Sequence, residues 1–305
     1  MSIEVRKPES KDFLRRKKIF KTIFSVRSFD ENMEKTNWKN VRKLGSIAYQ
    51  LKFKEDDVEY IYDKIDNVEC LITKPNKIEN NNVIYYIHGG GFVAGSAKGS
   101  KSYCSMLASH SGSVVVACEY SLAPEHPFPE GFNDCVKVYE SLIKKYESIF
   151  VIGDSAGGNL SLAVTLKAKE KKIKIPSGVI VHSPVVDLSF SFAKNSDEDD
   201  VLVKKNCQVP LKKMYCPNEL NLKRYELSPI FGDFKNFPPL FITCAGNETL
   251  RNDSEKLYAK SILSNVEAKL IIMENAFHDY ATIGVRSPET KQIFMETIDF
   301  IKENS

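Results

Sequence analysis

The chain predicts an α/β fold: a mostly parallel central sheet with helices on both faces. Three observations carry that expectation. Apolar runs at 83–87, 113–118, 149–152, 178–183, 239–244 and 269–273 alternate with helical patterns at about 99–110, 131–147, 156–169, 252–264 and 288–303. The runs are nearly continuous in apolar residues rather than alternating, as strands covered on both sides must be. The run ending at Ile152 passes through GDSAGGNL, 153–160, directly into helix formers, a strand–turn–helix joint of doubly wound sheets. Right-handed crossovers complete such a sheet, and 305 residues suffice to bury one large core, so 1–305 is expected to be a single domain.

Taken in order, residues 1–45 are basic, with 13 Lys or Arg against 6 Asp or Glu. Phe13, Leu14, Phe20, Ile23 and Phe24 fall near helical spacing, so one or two amphipathic helices are expected. A basic amphipathic helix can lie on a membrane surface or cover an apolar pocket of its own chain. Apolar helix stripes usually face protein, which favours the cover, and the single tryptophan, Trp38, reads as packing. Residues 57–74 read as an antiparallel hairpin turning near Asp66-Asn67, at a sheet edge. The alternation then runs unbroken to Ser183. About 55 residues separate that point from the next strand, far beyond the usual 2–6 residues of such a connection. An insertion of that length over the carboxyl ends of strands reads as a lid. Its acidic run, Asp197, Glu198, Asp199 and Asp200, reads as solvated surface, since adjacent carboxylates repel and no histidine joins them as a metal ligand.

Bulk properties exclude several classes. A formal net charge of +3 is too small to argue for nucleic acid. No run approaches the roughly 18 apolar residues of a membrane span. The start, MSIEVRKPESKDF, lacks an apolar secretory core. Seven cysteines, odd in number and without C-x-x-C spacing, fit free thiols in a reducing compartment, so a cytoplasmic protein is expected.

In an open α/β sheet, ligands bind beyond the carboxyl ends of the strands, and the residues there point to acyl transfer. Gly153, Ser155 and Gly157 form G-x-S-x-G, where small neighbours let a serine sit at the apex of a sharp turn above a helix N-terminus. Alone, the pattern is also compatible with an ordinary glycine-rich turn. The strand VIYYI ends in His88-Gly89-Gly90-Gly91-Phe92, and consecutive glycines there let backbone amides approach a substrate oxygen, with Ala156 N as a further donor. A serine nucleophile needs a base. Of five histidines, His88 belongs to the glycine loop, while His110, His126 and His182 lie at a helix end, in a loop and at a strand end. His278 follows the last strand and precedes the helix opened by Pro288, where a general base belongs. The acid that orients it should follow PLFITCAG. Glu248 sits at that strand end and Asp253 one turn into the next helix, so position favours Glu248. The order Ser155, Glu248, His278 is the Ser…Asp/Glu…His order of α/β-hydrolases.

With HGGGF (88–92), YSLAPEHPFP (120–129), GDSAGGNL (153–160), SPVVDLS (183–189), ETLRND (248–253) and FHDY (277–280), the chain resembles the hormone-sensitive lipase family of α/β-hydrolases over roughly residues 57–305. The resemblance implies an α/β-hydrolase fold with a helical lid, here about 1–45 and 188–230. It implies Ser155 as nucleophile, Gly90, Gly91 and Ala156 as oxyanion amides, and a structural role for His88. It further implies a small-molecule ester substrate, no cofactor or metal, and homodimers formed through the last strand and helix. The chain departs from the family at Ser121, where an arginine is usual, at Glu248-Thr249, where aspartate and proline are commoner, and at Asp279-Tyr280, where a small residue usually precedes the aromatic. The expected activity is a serine carboxylesterase for short- to medium-chain esters. The alternatives on the same fold are a non-catalytic small-molecule receptor, which would dispense with the histidine, and an amidase or deacetylase.

Overall fold

The structure, a computed structural model, describes residues 1–24, 29–43, 55–189, 200, 202–283 and 285–305. Its sheet consists of β1 (Ser2–Arg6), β2 (Val58–Ile65), β3 (Val68–Pro75), β4 (Asn82–Ile87), β5 (Val114–Cys118), β6 (Ser148–Asp154), β7 (Gly178–His182), β8 (Leu240–Ala245) and β9 (Ala268–Met273). In space the order is β1-β9-β8-β7-β6-β4-β5-β3-β2. Only the β2–β3 and β3–β5 pairs are antiparallel. The other six pairs are parallel, so the carboxyl ends of β4, β6, β8 and β9 share one rim. The β2–β3 hairpin turns at Asp66 and Asn67, both in the left-handed region that Asp and Asn tolerate.

Burial follows the sequence pattern. Every residue of β4, β5, β7 and β8 is buried, as strands with helices on both faces require. On one face, α3 (Glu130–Leu142), α4 (Ala156–Glu170) and α6 (Arg251–Leu263) cover Val83, Tyr85, Val151, Val179 and Ile242. On the other, α1 (Lys11–Phe24), α2 (Lys101–Ser111) and α7 (Pro288–Glu303) cover Ile84, Ile152, Ile180 and Ile271. Two sequence signals set helix ends here. Gly112, at φ 66°, closes α2, and Ser287 and Thr290 form a reciprocal capping box ahead of α7, with Pro288 in its first turn.

The first 45 residues differ from the helical expectation at their start. Ser2–Arg6 is a strand lying parallel to β9, from Ser2 opposite Lys269 to Arg6 opposite Met273. Its inner-facing charges form a network: Arg6 Nη1 to Glu296 Oε1 at 2.7 Å, and Lys269 Nζ to Glu4 Oε1 at 3.0 Å and to Glu296 Oε2 at 3.1 Å. Ile3 and Val5 are exposed, as an edge strand allows. Helix α1 packs as the apolar stripe predicts at Phe13, which is fully buried, whereas Leu14 faces outward. Phe13 and Phe20 stack on Phe277 at 5.8 and 4.4 Å between ring centroids, and Phe13 meets Tyr280 edge-on at 6.2 Å. α1 therefore buttresses the loop that follows β9. Phe13→Ala is expected to lower stability by about 3–5 kcal/mol, read as a lower urea midpoint at unchanged slope.

Trp38 is buried packing: it stacks on Phe29 at 5.8 Å and donates its indole N–H to Met33 O at 3.0 Å. Of the acidic run, residues 197–199 lie outside the described residues. Asp200 is not solvated surface but buried, accepting from Leu202 N and Val203 N at 3.0 Å and from Thr249 N at 2.8 Å. Those three amides compensate a carboxylate whose neighbours in sequence gave no sign of burial. All seven cysteines are buried and unpaired. Among the described residues no helix is long and apolar enough to cross a membrane.

Candidate active site

The rim formed by β4, β6, β8 and β9 gathers the residues that the sequence singles out. Ser155 stands between β6 and α4 at φ 52°, ψ −117°, a conformation disfavoured for a residue with a side chain and held by its surroundings. Its N–H donates to His182 O at 2.8 Å, and its carbonyl accepts from Asn159 N and Val185 N at 3.2 Å. The flanking glycines leave no alternative: a Cβ on Gly153 would strike Gly157 O, and one on Gly157 would strike Ile87 O. Ala156 opens α4, where unpaired amides and the helix dipole favour negative charge.

The glycine loop after β4 bends through Gly90 at φ 120° and Gly91 at φ 60°. A Cβ at Gly90 would overlap Ala94 O, so both dihedral and space demand glycine. Asp154, the residue before the serine, ties this loop to the elbow. It accepts from the Tyr86 hydroxyl and, at 3.1 Å, from Gly89 N. Burial pushes its carboxyl up to about 7, the nearby Asp279 adds to that, and the Tyr86 and Gly89 donors hold it down. The sequence reading did not assign Asp154 a role, although its place inside GDSAGGNL was the available signal. His88 is buried against its own loop: its Nδ1 lies 2.8 Å from Gly89 O and its ring stacks on Tyr120 at 4.3 Å. Burial lowers its pKa to about 4, so the ring is neutral. From the far side, Tyr215 of α5 (Gln208–Tyr215) stacks on Phe92 at 3.8 Å, and Arg42 Nε holds Val93 O at 2.7 Å.

Glu248 and His278 meet. His278 Nδ1 lies 2.8 Å from Glu248 Oε2, and Ala245 N donates to Glu248 Oε1 at 3.2 Å. Both side chains are buried. Burial raises the Glu248 carboxyl, while His278 opposes that rise. For His278, burial alone would lower the pKa, but Asp279 and Glu248 together carry it well above the ordinary value. Asp253, the other acid the sequence offered, is buried in α6 and accepts from Val186 N at 2.8 Å, pinning the loop after β7. The remaining histidines are elsewhere engaged. His110 Nδ1 lies 3.0 Å from Met106 O and His126 pairs with Glu130 at 2.7 Å, while His182 bridges the Tyr103 hydroxyl at 2.9 Å and the Thr243 hydroxyl at 2.8 Å.

The far ring nitrogen of His278 is not on the serine. Nε2 faces Asp279 Oδ2 at 3.2 Å, and no hydrogen bond joins it to Ser155 Oγ among the described residues. Catalytic contacts are often open in an unliganded site and close with substrate. Ser121, at the family's usual arginine, hydrogen-bonds Asp134 through its amide at 3.1 Å and its hydroxyl at 2.6 Å. A strained serine over a helix N-terminus, a glycine loop with turned backbone and a carboxylate-held imidazole together suit addition to a carbonyl carbon.

Residues 84–282 match the model of a family described as having the alpha/beta hydrolase fold. An esterase of Acinetobacter venetianus is 30% identical over 224 residues, covering 72% of this chain and 74% of that protein. The hormone-sensitive lipase of Mus musculus is 37% identical over 116 residues, covering 36% of this chain and 15% of that larger protein. A crystal structure of a hormone-sensitive lipase from a metagenome library superposes with a TM-score of 0.84 at 27% identity, covering 95% of this chain and 99% of the other.

Proposed function

Since the chain belongs to the hormone-sensitive lipase family of α/β-hydrolases, and is a carboxylic ester hydrolase, we propose that Ser155, His278 and Glu248 carry the reaction in two acyl-transfer steps. Ser155 Oγ attacks the ester carbonyl and gives its proton to His278 Nε2. The C–O bond to the alcohol then breaks as the imidazolium returns that proton to the leaving oxygen. Water, deprotonated by the same nitrogen, hydrolyses the acyl-serine and restores the hydroxyl. Glu248 keeps the Nδ1 proton in place and stabilises the imidazolium. Gly90, Gly91 and Ala156 donate their N–H groups to the oxyanion. The observation that carries this reading is the buried 2.8 Å contact between His278 Nδ1 and Glu248, on the same rim as the strained Ser155. It also disfavours a non-catalytic receptor, which has no use for an oriented imidazole.

α1 and the segment 188–230 would form the lid, since Phe20 packs on the loop carrying His278 and Tyr215 on the loop carrying Gly90 and Gly91. With its apolar inner face so used, α1 is a cover first, and any membrane contact would use its outer residues such as Leu14 and Lys18. A homodimer formed edge to edge would pair through β1, because β1 occupies the free edge of β9. Seven unpaired thiols support a reducing, cytoplasmic setting.

The test is a series of p-nitrophenyl esters from acetate to palmitate. Turnover best with short and medium chains is expected, and absence of turnover with every ester, beside cleavage of the matching anilides, would favour the amidase reading. Gly90→Ala keeps the amide but not φ 120° or the close approach to Ala94 O. It should therefore displace the loop and its donors and lower kcat/KM by at least about 10²–10³, the usual cost of one oxyanion donor.

A further inference from the structure

We propose that Asp279 is a positioning residue of the base: in the free enzyme its carboxylate holds His278 Nε2 away from Ser155 and must release it before acyl transfer begins. This rests on reading His278 as the general base.

The geometry is a ring clamped at both nitrogens. Glu248 Oε2 lies 2.8 Å from Nδ1 and Asp279 Oδ2 lies 3.2 Å from Nε2. A neutral imidazole has one N–H, so two carboxylates at these distances are both satisfied only by the doubly protonated ring. That ring has no lone pair with which to accept the serine proton. Asp279 is placed there by its backbone: φ is 58°, its N–H donates to Ser183 Oγ at 3.2 Å, and it follows His278 directly. Its second oxygen, Oδ1, is buried without a partner. A carboxylate that spends one oxygen on the imidazole and leaves the other bare is poorly compensated, so a substrate entering the site can displace it. Besides Glu248 and Asp279, the titratable groups around the ring are Lys21 on α1, Asp154 at the end of β6, and Asp200 beside Glu248. The acids outnumber the single lysine, and both direct contacts favour the cation, in line with the upward direction of the His278 pKa.

The sign is definite. Asp279 stabilises the charged ring, so it postpones the appearance of the free base to higher pH. Removing its charge should bring the base back at lower pH. An opposite charge at this range usually shifts a pKa by about 1–3 units.

The measurement is kcat/KM for p-nitrophenyl butyrate between about pH 5.5 and 9.5, because kcat/KM reports the ionisations of the free enzyme. In Asp279→Asn and Asp279→Ala the acidic limb should move to lower pH by about one unit or more, a gain of about tenfold below the limb, with alkaline plateaus close to wild type. An unmoved limb, or a limb moved upward, overturns the proposal, as does a loss of activity equal at every pH. If neither variant folds, Asp279→Ser is compared with the wild type by proton NMR. With five histidines, the His278 Cε1–H resonance is assigned by its absence from His278→Gln. In the wild type its titration midpoint should lie well above the ordinary histidine value of about 6.5, and in Asp279→Ser it should fall by about one unit. A wild-type midpoint at or below that value, or one the variant leaves unmoved, overturns the proposal. Failure of the base assignment looks different: His278→Gln would then hydrolyse the ester as wild type does.

Discussion

Ser155→Ala is expected to remove at least about 10³ of kcat for p-nitrophenyl butyrate, and up to about 10⁶, because the acyl-enzyme can no longer form. The residual rate would come from the oxyanion amides acting on an attacking water. KM should change little, since the hydroxyl contributes little to binding the ground state. Folding should survive. Alanine can occupy the same backbone position, and the tie between the elbow and the glycine loop runs through Asp154 rather than the serine. The positive φ is as unfavourable for alanine as for serine, so the thermal midpoint should stay within a few degrees. A Ser155→Ala protein that melts normally yet hydrolyses the ester at the wild-type rate would remove the nucleophile from this mechanism.

Glu248→Gln should cost about 10⁴ in kcat, as an amide in place of the triad acid stabilises the wrong imidazole tautomer. Glu248 Oε2, 2.8 Å from Nδ1, keeps a proton on that nitrogen, so that Nε2, once clear of Asp279, is the one free to act as the base. A glutamine amide can donate to Nδ1 instead, which places the ring proton on Nε2 and abolishes the base. It also leaves the imidazolium of the tetrahedral intermediate buried without its counter-charge. Asp253→Asn makes the control. Asp253 holds Val186 N rather than His278, so its loss should act through stability and leave the shape of the pH profile intact. The reverse pattern, with Asp253→Asn the more damaging to kcat, would exchange the roles of the two acids.

What could be read from residues alone follows from the range over which each feature is encoded. Runs such as VIYYI and SVVVAC declare strands buried on both faces because solvent exposure would be costly at every residue. The hairpin turn at Asp66-Asn67, the proline-opened terminal helix and the G-x-S-x-G elbow are likewise written within a few residues. The pairing of Glu248 with His278 spans 30 positions but follows from their places at the ends of adjacent parallel strands. β1 was illegible for the opposite reason. Five residues with two charges alternate weakly, and the strand exists because β9 offers an edge and Glu296 and Lys269 offer counter-charges. Asp200 is another such case: an acid within an acidic run looks solvated until three backbone amides converge on it. Asp154 and Asp279 sit beside Ser155 and His278 in sequence, but their roles depend on which atoms they face. Only the folded rim sets that.

The convergence of Ser155 with a His278-activated site is tested most directly by covalent capture. Wild-type protein treated with diethyl p-nitrophenyl phosphate and digested should carry a single diethylphosphoryl group on the peptide containing Ser155. The same treatment of His278→Ala should label that peptide slower by about 10³ or more. Label on another residue, or equal labelling rates in the two proteins, would contradict the assignment of nucleophile and base.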